Sequence, residues 1–154
     1  VRRPVAAPGL AIGSPPKKPI ENTPDEGRIE VSAALGADGR VALAVRDFGV
    51  GIVADHQRHI FDGFFHTQET DRYASRNPYT FDAGGKGLEL LRLRSFSERF
   101  GWKVDFESAR CRFIPGPADV CPGRISTCPH CKAREDCLGS GGSTFRLTLE
   151  AAKS

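Results

Sequence analysis

Asp47-Phe48-Gly49-Val50-Gly51-Ile52 follows directly on Val41-Ala42-Leu43-Ala44-Val45, an apolar run of strand length. A carboxylate at that point can accept a hydrogen bond from an exocyclic amine, and glycines let backbone come close to a flat ring. Alone, the hexapeptide reads equally well as a tight turn. Working outward, Gly36-Ala37-Asp38-Gly39 turns the chain before that run. Upstream of the turn, Ile29, Val31 and Ala33 alternate with Glu30 and Ser32. The pattern predicts a hairpin, strands over 28–35 and 41–45, ending at Asp47.

Downstream, residues 54–61 read as a short helix anchored by Ile60 and Phe61. Residues 67–85 have little periodicity and contain the turn-forming pair Asn77-Pro78, which predicts a long loop. Gly84-Gly85-Lys86-Gly87 then leads into a helix over 87–100. Leu88, Leu91, Leu93, Phe96 and Phe100 give that helix its apolar spacing, and Gly101 stops it. Glycines at a helix N-terminus turn free N–H groups and the positive dipole end toward one point, a setting for phosphate. Lys86 adds a charge. Taken alone this too reads as a flexible connection. Further strands are expected over 103–107 and 144–149, with about thirty residues of no regular pattern between them.

At 154 residues, 39% hydrophobic and 27% charged, the chain fits one soluble domain with a real core. A net charge of +3 is too small to argue for nucleic acid or a membrane surface. No apolar run is long enough to span a bilayer, so this segment is expected to make no direct membrane contact. Val1 begins no recognisable signal peptide, so a cytoplasmic setting is expected; with no methionine anywhere, a fragment of a longer polypeptide is expected as well. Residues 1–19 include Pro4, Pro8, Pro15, Pro16 and Pro19 and read as an irregular arm through which no long helix runs. Residues 20–154 form the domain, with a cysteine-rich insert at 109–141.

The order of these pieces resembles the ATP-binding domain shared by sensor histidine kinases, gyrase, Hsp90 and MutL (the GHKL family). Residues 20–31, Ile20-Glu21-Asn22-Thr23-Pro24 onward, resemble the end of the family's asparagine box and its following strand. Asp47 to Ile52 matches the first glycine box, and Ile60-Phe61-Asp62-Gly63-Phe64-Phe65 looks like the phenylalanine box of the kinase branch. Gly84-Gly85-Lys86-Gly87-Leu88 matches the second glycine box, and Glu107-Ser108 with Gly142-Ser143-Thr144-Phe145 matches the closing hairpin. The resemblance implies a two-layer α/β sandwich, a mixed sheet with helices on one face, and a lid at 67–85. It implies an ATP site in which Asp47 reads adenine, Gly49, Gly51 and Ile52 line the base, and Gly84, Gly85, Lys86, Gly87 and Leu88 meet phosphate. It also implies a protein histidine kinase whose partners are a phosphoaccepting histidine domain and a response regulator. No catalytic residue of its own is assigned to this chain. None of His56, His59, His66 and His130 has the context of a phosphoacceptor.

Two positions depart from the pattern. Lys18 stands where the family has its magnesium-binding asparagine, in a proline-rich stretch that argues against the helix carrying it. An ammonium cannot coordinate Mg²⁺. Glu89 replaces a glycine common in the second box and puts a carboxylate near phosphate. Both favour binding over efficient catalysis. They keep open the alternative of a degenerate, non-catalytic nucleotide-binding or metal/redox-sensing module.

Cys111, Cys121, Cys128, Cys131 and Cys137 have nine, six, two and five residues between neighbours. Cys128-Pro129-His130-Cys131 has the spacing that lets both thiolates reach one tetrahedral ion. Cys121 and Cys137 complete a four-ligand set, with Cys111 as a possible substitute. Zn²⁺ is expected there, and an iron–sulfur cluster is the alternative.

Overall fold

The computed structural model describes residues 17–63, 81 and 88–150, with only the backbone described for 17 and 18. Within these, α1 (Lys17–Asn22) leads into a hairpin of β1 (Ile29–Leu35) and β2 (Arg40–Asp47). A single turn, α2 (Ala54–Gln57), and the twelve-residue α3 (Glu89–Phe100) follow. β3 (Lys103–Ala109), the insert with its short α4 (Arg134–Leu138), and β4 (Gly142–Glu150) complete the order.

The four strands lie in the order β1-β2-β4-β3, and every ladder is antiparallel. The expected sandwich is present, but the mixed character expected of the sheet is not found among the described residues. Register explains the core. Successive cross-strand rows on one face read Ala33–Leu43–Leu147–Val104, then Val31–Val45–Phe145–Phe106, then Ile29–Asp47–Ser143–Ser108. Alternation puts each row on the same side of the pleat, so three strands present one apolar surface. Against it α3 lays buried Leu93, flanked by Leu90 and Phe96, onto Leu43, Leu147, Leu149 and Val104. Gly101 closes α3 with a left-handed φ of 70° and donates its N–H to the Ser97 carbonyl, as its position after the apolar series predicts. The last row breaks the apolar pattern with Asp47, which thereby sits at the end of the core.

Three further expectations need correction. The helix expected not to form does form: α1 runs through Pro19, which is its third residue and is fully buried. Within the first turn a missing N–H costs nothing, because no carbonyl stands four residues earlier in the helix to receive it. The insert, expected to be without regular structure, carries a 3₁₀ turn at Ile125–Thr127 besides α4. Asp136 makes α4 possible by accepting the N–H groups of Lys132 and Ala133, both at 2.9 Å. Those bonds hold its carboxyl below the usual range. The helix expected over 54–61 is shorter, but buried Ile60 and the edge-on contact of Phe61 with Phe106 (6.4 Å) keep both expected anchors.

Candidate functional site

Asp47 is the last residue of β2 and is 1% exposed. Its Oδ1 accepts the N–H of Gly49 at 3.2 Å and that of Ser143 at 3.1 Å. Its Oδ2 is buried and has no hydrogen-bond partner. Burial pushes the carboxyl up from 3.8 to about 6, and the backbone N–H groups of Gly49, Ser143 and Asp47 itself oppose the rise. A buried carboxylate oxygen without a donor costs stability, and proteins keep such groups where a ligand completes them. An exocyclic amine is one donor that such an oxygen can accept from. Beside Asp47, the guanidinium groups of Arg28 and Arg46 lie over the Phe48 ring, 4.1 and 4.4 Å from its centre.

The glycines are required by the protein's own backbone. A Cβ at Gly49 would run into the Asn22 carbonyl, and one at Gly51 into the Ala109 carbonyl; Gly51 also has φ +61°. Around the same bend, Val50 donates its N–H to Asn22 O (2.9 Å), tying the first glycine box to the end of α1. Ile52 donates its N–H to Ser108 Oγ at 2.9 Å, and its carbonyl accepts from Gln57 Nε2 at 2.8 Å. Ser108 Oγ in turn lies 3.0 Å from Ser143 Oγ. Ser108, Ser143 and Gln57 thus shape the site; the resemblance placed the two serines only in the closing hairpin, and Gln57 carried no expectation. The parity of β3 and β4 was the available signal, since both serines fall on the core-facing row beside Asp47.

Gly84, Gly85, Lys86 and Gly87, and the lid expected over 67–85 apart from Phe81, lie outside the described residues. Phe64, Phe65 and His66 do as well. Leu88 forms the N-terminal boundary of α3, its carbonyl accepting the Arg92 N–H at 2.9 Å. Glu89 opens the helix with its Oε2 buried and without a hydrogen-bond partner. At the α1 end, Lys18 occupies the second helical position. A lysine there offers no oxygen for Mg²⁺, so the residues present do not fit the ion at that point.

All five cysteines are free and line one apolar pocket. Gly49 and Val50 of the first glycine box line it too. Burial pushes the Cys131 thiol up to about 12, with help from Cys128 and Cys137 beside it. Burial likewise raises Cys121 and Cys137, followed by the neighbouring thiols. Even so, among the described residues no group of three or more His, Cys, Asp or Glu side chains is arranged to hold a metal ion. The expected zinc or iron–sulfur centre is therefore not seen as a formed ligand set. The thiols converge on one space without closing on one point.

A family model for histidine kinase-, DNA gyrase B-, and HSP90-like ATPases matches residues 18–153. The chain belongs to this family, and it is an ATP-binding domain. Among curated proteins, it is 35% identical over 80 residues to the sensor histidine kinase YkoH of Bacillus subtilis (strain 168), covering 52% of this chain and 16% of that protein. It is 33% identical over 84 residues to the sensor histidine kinase ZraS of Klebsiella oxytoca, covering 54% and 15%. The aligned part is thus about a sixth of each relative. Among solved structures, the mycobacterial sensor histidine kinase MprB superposes with a TM-score of 0.56 at 17% identity, covering 92% of this chain and 68% of that one. Full-length ShkA in complex with AMPPNP gives 0.58 at 17%, covering 94% and 21%. These two likenesses establish the fold. No helix among the described residues is long and apolar enough to cross a membrane.

Proposed function

We propose that this chain is the ATP-binding catalytic part of a cytoplasmic two-component sensor histidine kinase. The observation that carries the reading is Asp47 Oδ2, a buried acceptor lacking a donor, in a chain whose curated relatives are sensor histidine kinases. The adenine amino group donates to that oxygen. Gly49, Gly51 and Ile52 border the base, while Gly84, Gly85, Lys86, Gly87 and Leu88 receive the phosphates at the start of α3. A histidine nitrogen from a separate phosphoaccepting domain attacks the γ-phosphorus, the bond to the β,γ-bridging oxygen breaks, and ADP leaves. The site contributes orientation and charge rather than a covalent partner. A response regulator then takes the phosphoryl group. No step is routed through Mg²⁺, since Lys18 replaces the ligand.

The insert adds a second part. Cys121, Cys128, Cys131 and Cys137 bind one Zn²⁺, or an iron–sulfur cluster in its place, with Cys111 the spare. The convergence of all five thiols on one pocket supports this, and ligation would draw four sulfurs inward.

The test supplies γ-labelled ATP and the phosphoaccepting histidine domain to the chain. Acid-labile label on that histidine is expected, slow for the wild type and faster for Lys18→Asn. Nucleotide binding with no label transfer from either protein would favour the non-catalytic alternative.

A further inference from the structure

β1 is an outer strand of the sheet, and its inner face is bare. Alternation puts Ile29, Val31, Ala33 and Leu35 on the side of the pleat that carries the core. On that side α3 packs onto Leu43 of β2, Leu147 and Leu149 of β4 and Val104 of β3, and the cluster includes no residue of β1. Val31 and Leu35 remain 71% and 72% exposed, the most exposed large hydrophobic residues among those described.

An edge strand usually carries a guard against further pairing: charges, a proline, a bulge, or shortness. The other edge has one. β3 sets Lys103, Asp105 and Glu107 at alternate positions, with Lys103 3.0 Å from Asp105 and Glu107 3.8 Å from Arg146. β1 runs for seven residues without proline, its ladder to β2 is unbroken, and Glu30 on the solvent face is its one charged side chain. Its free backbone groups also belong to the apolar set. Gly36 donates its N–H to the Arg40 carbonyl at 2.7 Å, and Phe48 donates to the Arg28 carbonyl at 3.1 Å. Those bonds bracket the ladder, and bonded residues alternate between them. Glu30, Ser32 and Ala34 therefore bond to β2, while Ile29, Val31, Ala33 and Leu35 turn their N–H and C=O groups outward.

We propose that two copies of this chain join by antiparallel pairing of β1 with β1, about a two-fold axis at Ser32. The strand is complementary to itself in that register. Ile29 meets Leu35 of the second copy and Val31 meets its Ala33, each pair exchanging both backbone bonds, and the two Ser32 residues form the non-bonded pair on the axis. Of the possible registers, this one matches the whole strand. A slip of one residue would oppose outward groups to inward ones and form no ladder. Glu30 faces Ala34, so no like charges oppose each other, and the two Glu30 residues stand about 14 Å apart along the strands. The row Ala33–Leu43–Leu147–Val104 then continues into Val31 of the second copy, and the row of Val31 into its Ala33. The same patch serves both copies, as a closed two-fold dimer requires. One strand pair buries less than a stable interface does, so the dimer is weak and concentration-dependent. Ile29 stands between Asp47 and the second copy, so the pairing stops one strand short of the nucleotide site and does not depend on the reading of that site.

The test is sedimentation equilibrium of the whole chain, reduced, over about 1 µM to 1 mM. A monomer–dimer equilibrium is expected. Val31→Lys, which sets like charges on either side of the axis, should weaken it at least tenfold and leave far-UV circular dichroism unchanged. Amide exchange at Val31, Ala33 and Leu35 should be fast in dilute protein and slow in concentrated protein, while Ser32 and Ala34, bonded to β2, are slow in both. Ser32→Cys reads the register directly, and keeps the proposal testable if Val31→Lys does not fold. Under glutathione disulfide the dimer should become covalent through position 32. The native cysteines all lie within 111–137, so a peptide joined to itself through position 32 is unambiguous. A chain that stays monomeric throughout would overturn the proposal, as would a dimer that Val31→Lys leaves unchanged or that Ser32→Cys does not cross-link. Slow exchange at Val31, Ala33 and Leu35 in the monomer would show the edge held by another part of the same chain, and would also overturn it.

Discussion

Ser143 donates its backbone N–H to Asp47 Oδ1 at 3.1 Å, and that bond joins two residues paired across neighbouring strands. It occupies one carboxylate oxygen with protein and leaves the other, Oδ2, facing no donor. The sheet thereby chooses which oxygen meets the ligand. The predictions below follow from that arrangement.

The Asp47 carboxyl should titrate near pH 6 in the free protein, because burial outweighs the backbone N–H groups beside it. An amine donating to Oδ2 favours the ionised form, so saturating nucleotide should lower the midpoint by about one unit or more. By linkage, affinity should then fall as pH drops through about 6. Carboxyl ¹³C shifts of Asp47, with and without ATP, give both midpoints. A midpoint that nucleotide leaves unmoved would separate Asp47 from the ligand.

Stability should move the opposite way. A carboxyl whose folded pKa is raised contributes favourably below its ordinary value of 3.8, and that contribution is lost as pH rises through about 6. Above that range the buried charge is a cost. Asp47→Asn removes it but adds an amide donor where Oδ2 lies, so a net gain on the order of 1–2 kcal/mol is expected at pH 8. The gain should shrink toward pH 4. Denaturant unfolding at the two pH values measures it, and a variant less stable than wild type at pH 8 would contradict the account.

Ser108→Ala should loosen the bend at Ile52, since Ser108 Oγ accepts that N–H and faces Ser143 Oγ. A loss of about 0.5–1.5 kcal/mol in stability is expected for the missing bonds. A several-fold loss in nucleotide affinity should accompany it. Unchanged affinity alongside the stability loss would mean that the serine pair supports the fold alone.

Glu89 at the start of α3 sets a carboxylate where the helix would otherwise offer only N–H groups. Glu89→Gln should tighten ATP binding by about 1 kcal/mol or more, since about 1 kcal/mol is the repulsion of two like charges 4 Å apart in bulk water. Adenosine, which has no phosphates, should bind both proteins equally. Equal tightening for adenosine would point to a change in shape rather than charge.

Much of this was readable from residue order because the decisive features are local. Alternation over 28–35 and the apolar run 41–45 give the hairpin, Gly101 ends α3, and Asp47 stands at a strand end beside two glycines. The contact of Ser108 with Ser143 was harder to see, because the two lie 35 residues apart and meet only through strand register. α1 was misjudged for a physical reason as well. Proline breaks a helix when its ring meets a preceding turn, and at Pro19 no preceding turn exists in α1. The structure of the insert depends on bonds to Glu26 and Gly27, about a hundred residues earlier in sequence. No local pattern could announce these. The cysteine spacing did announce that the thiols gather, and they line one pocket; which sulfurs would ligate depends on geometry that spacing does not contain.

The central claim is that Asp47 reads adenine, and calorimetric titration of ATP into wild type and Asp47→Ala at pH 8 tests it most directly. The account predicts measurable binding by the wild type and none by the variant, with far-UV circular dichroism unchanged between them. Truncation removes both the acceptor and the bond from Ser143, a loss of about 1–3 kcal/mol for the unmade adenine bond alone. Superimposable titration curves for the two proteins would contradict the account.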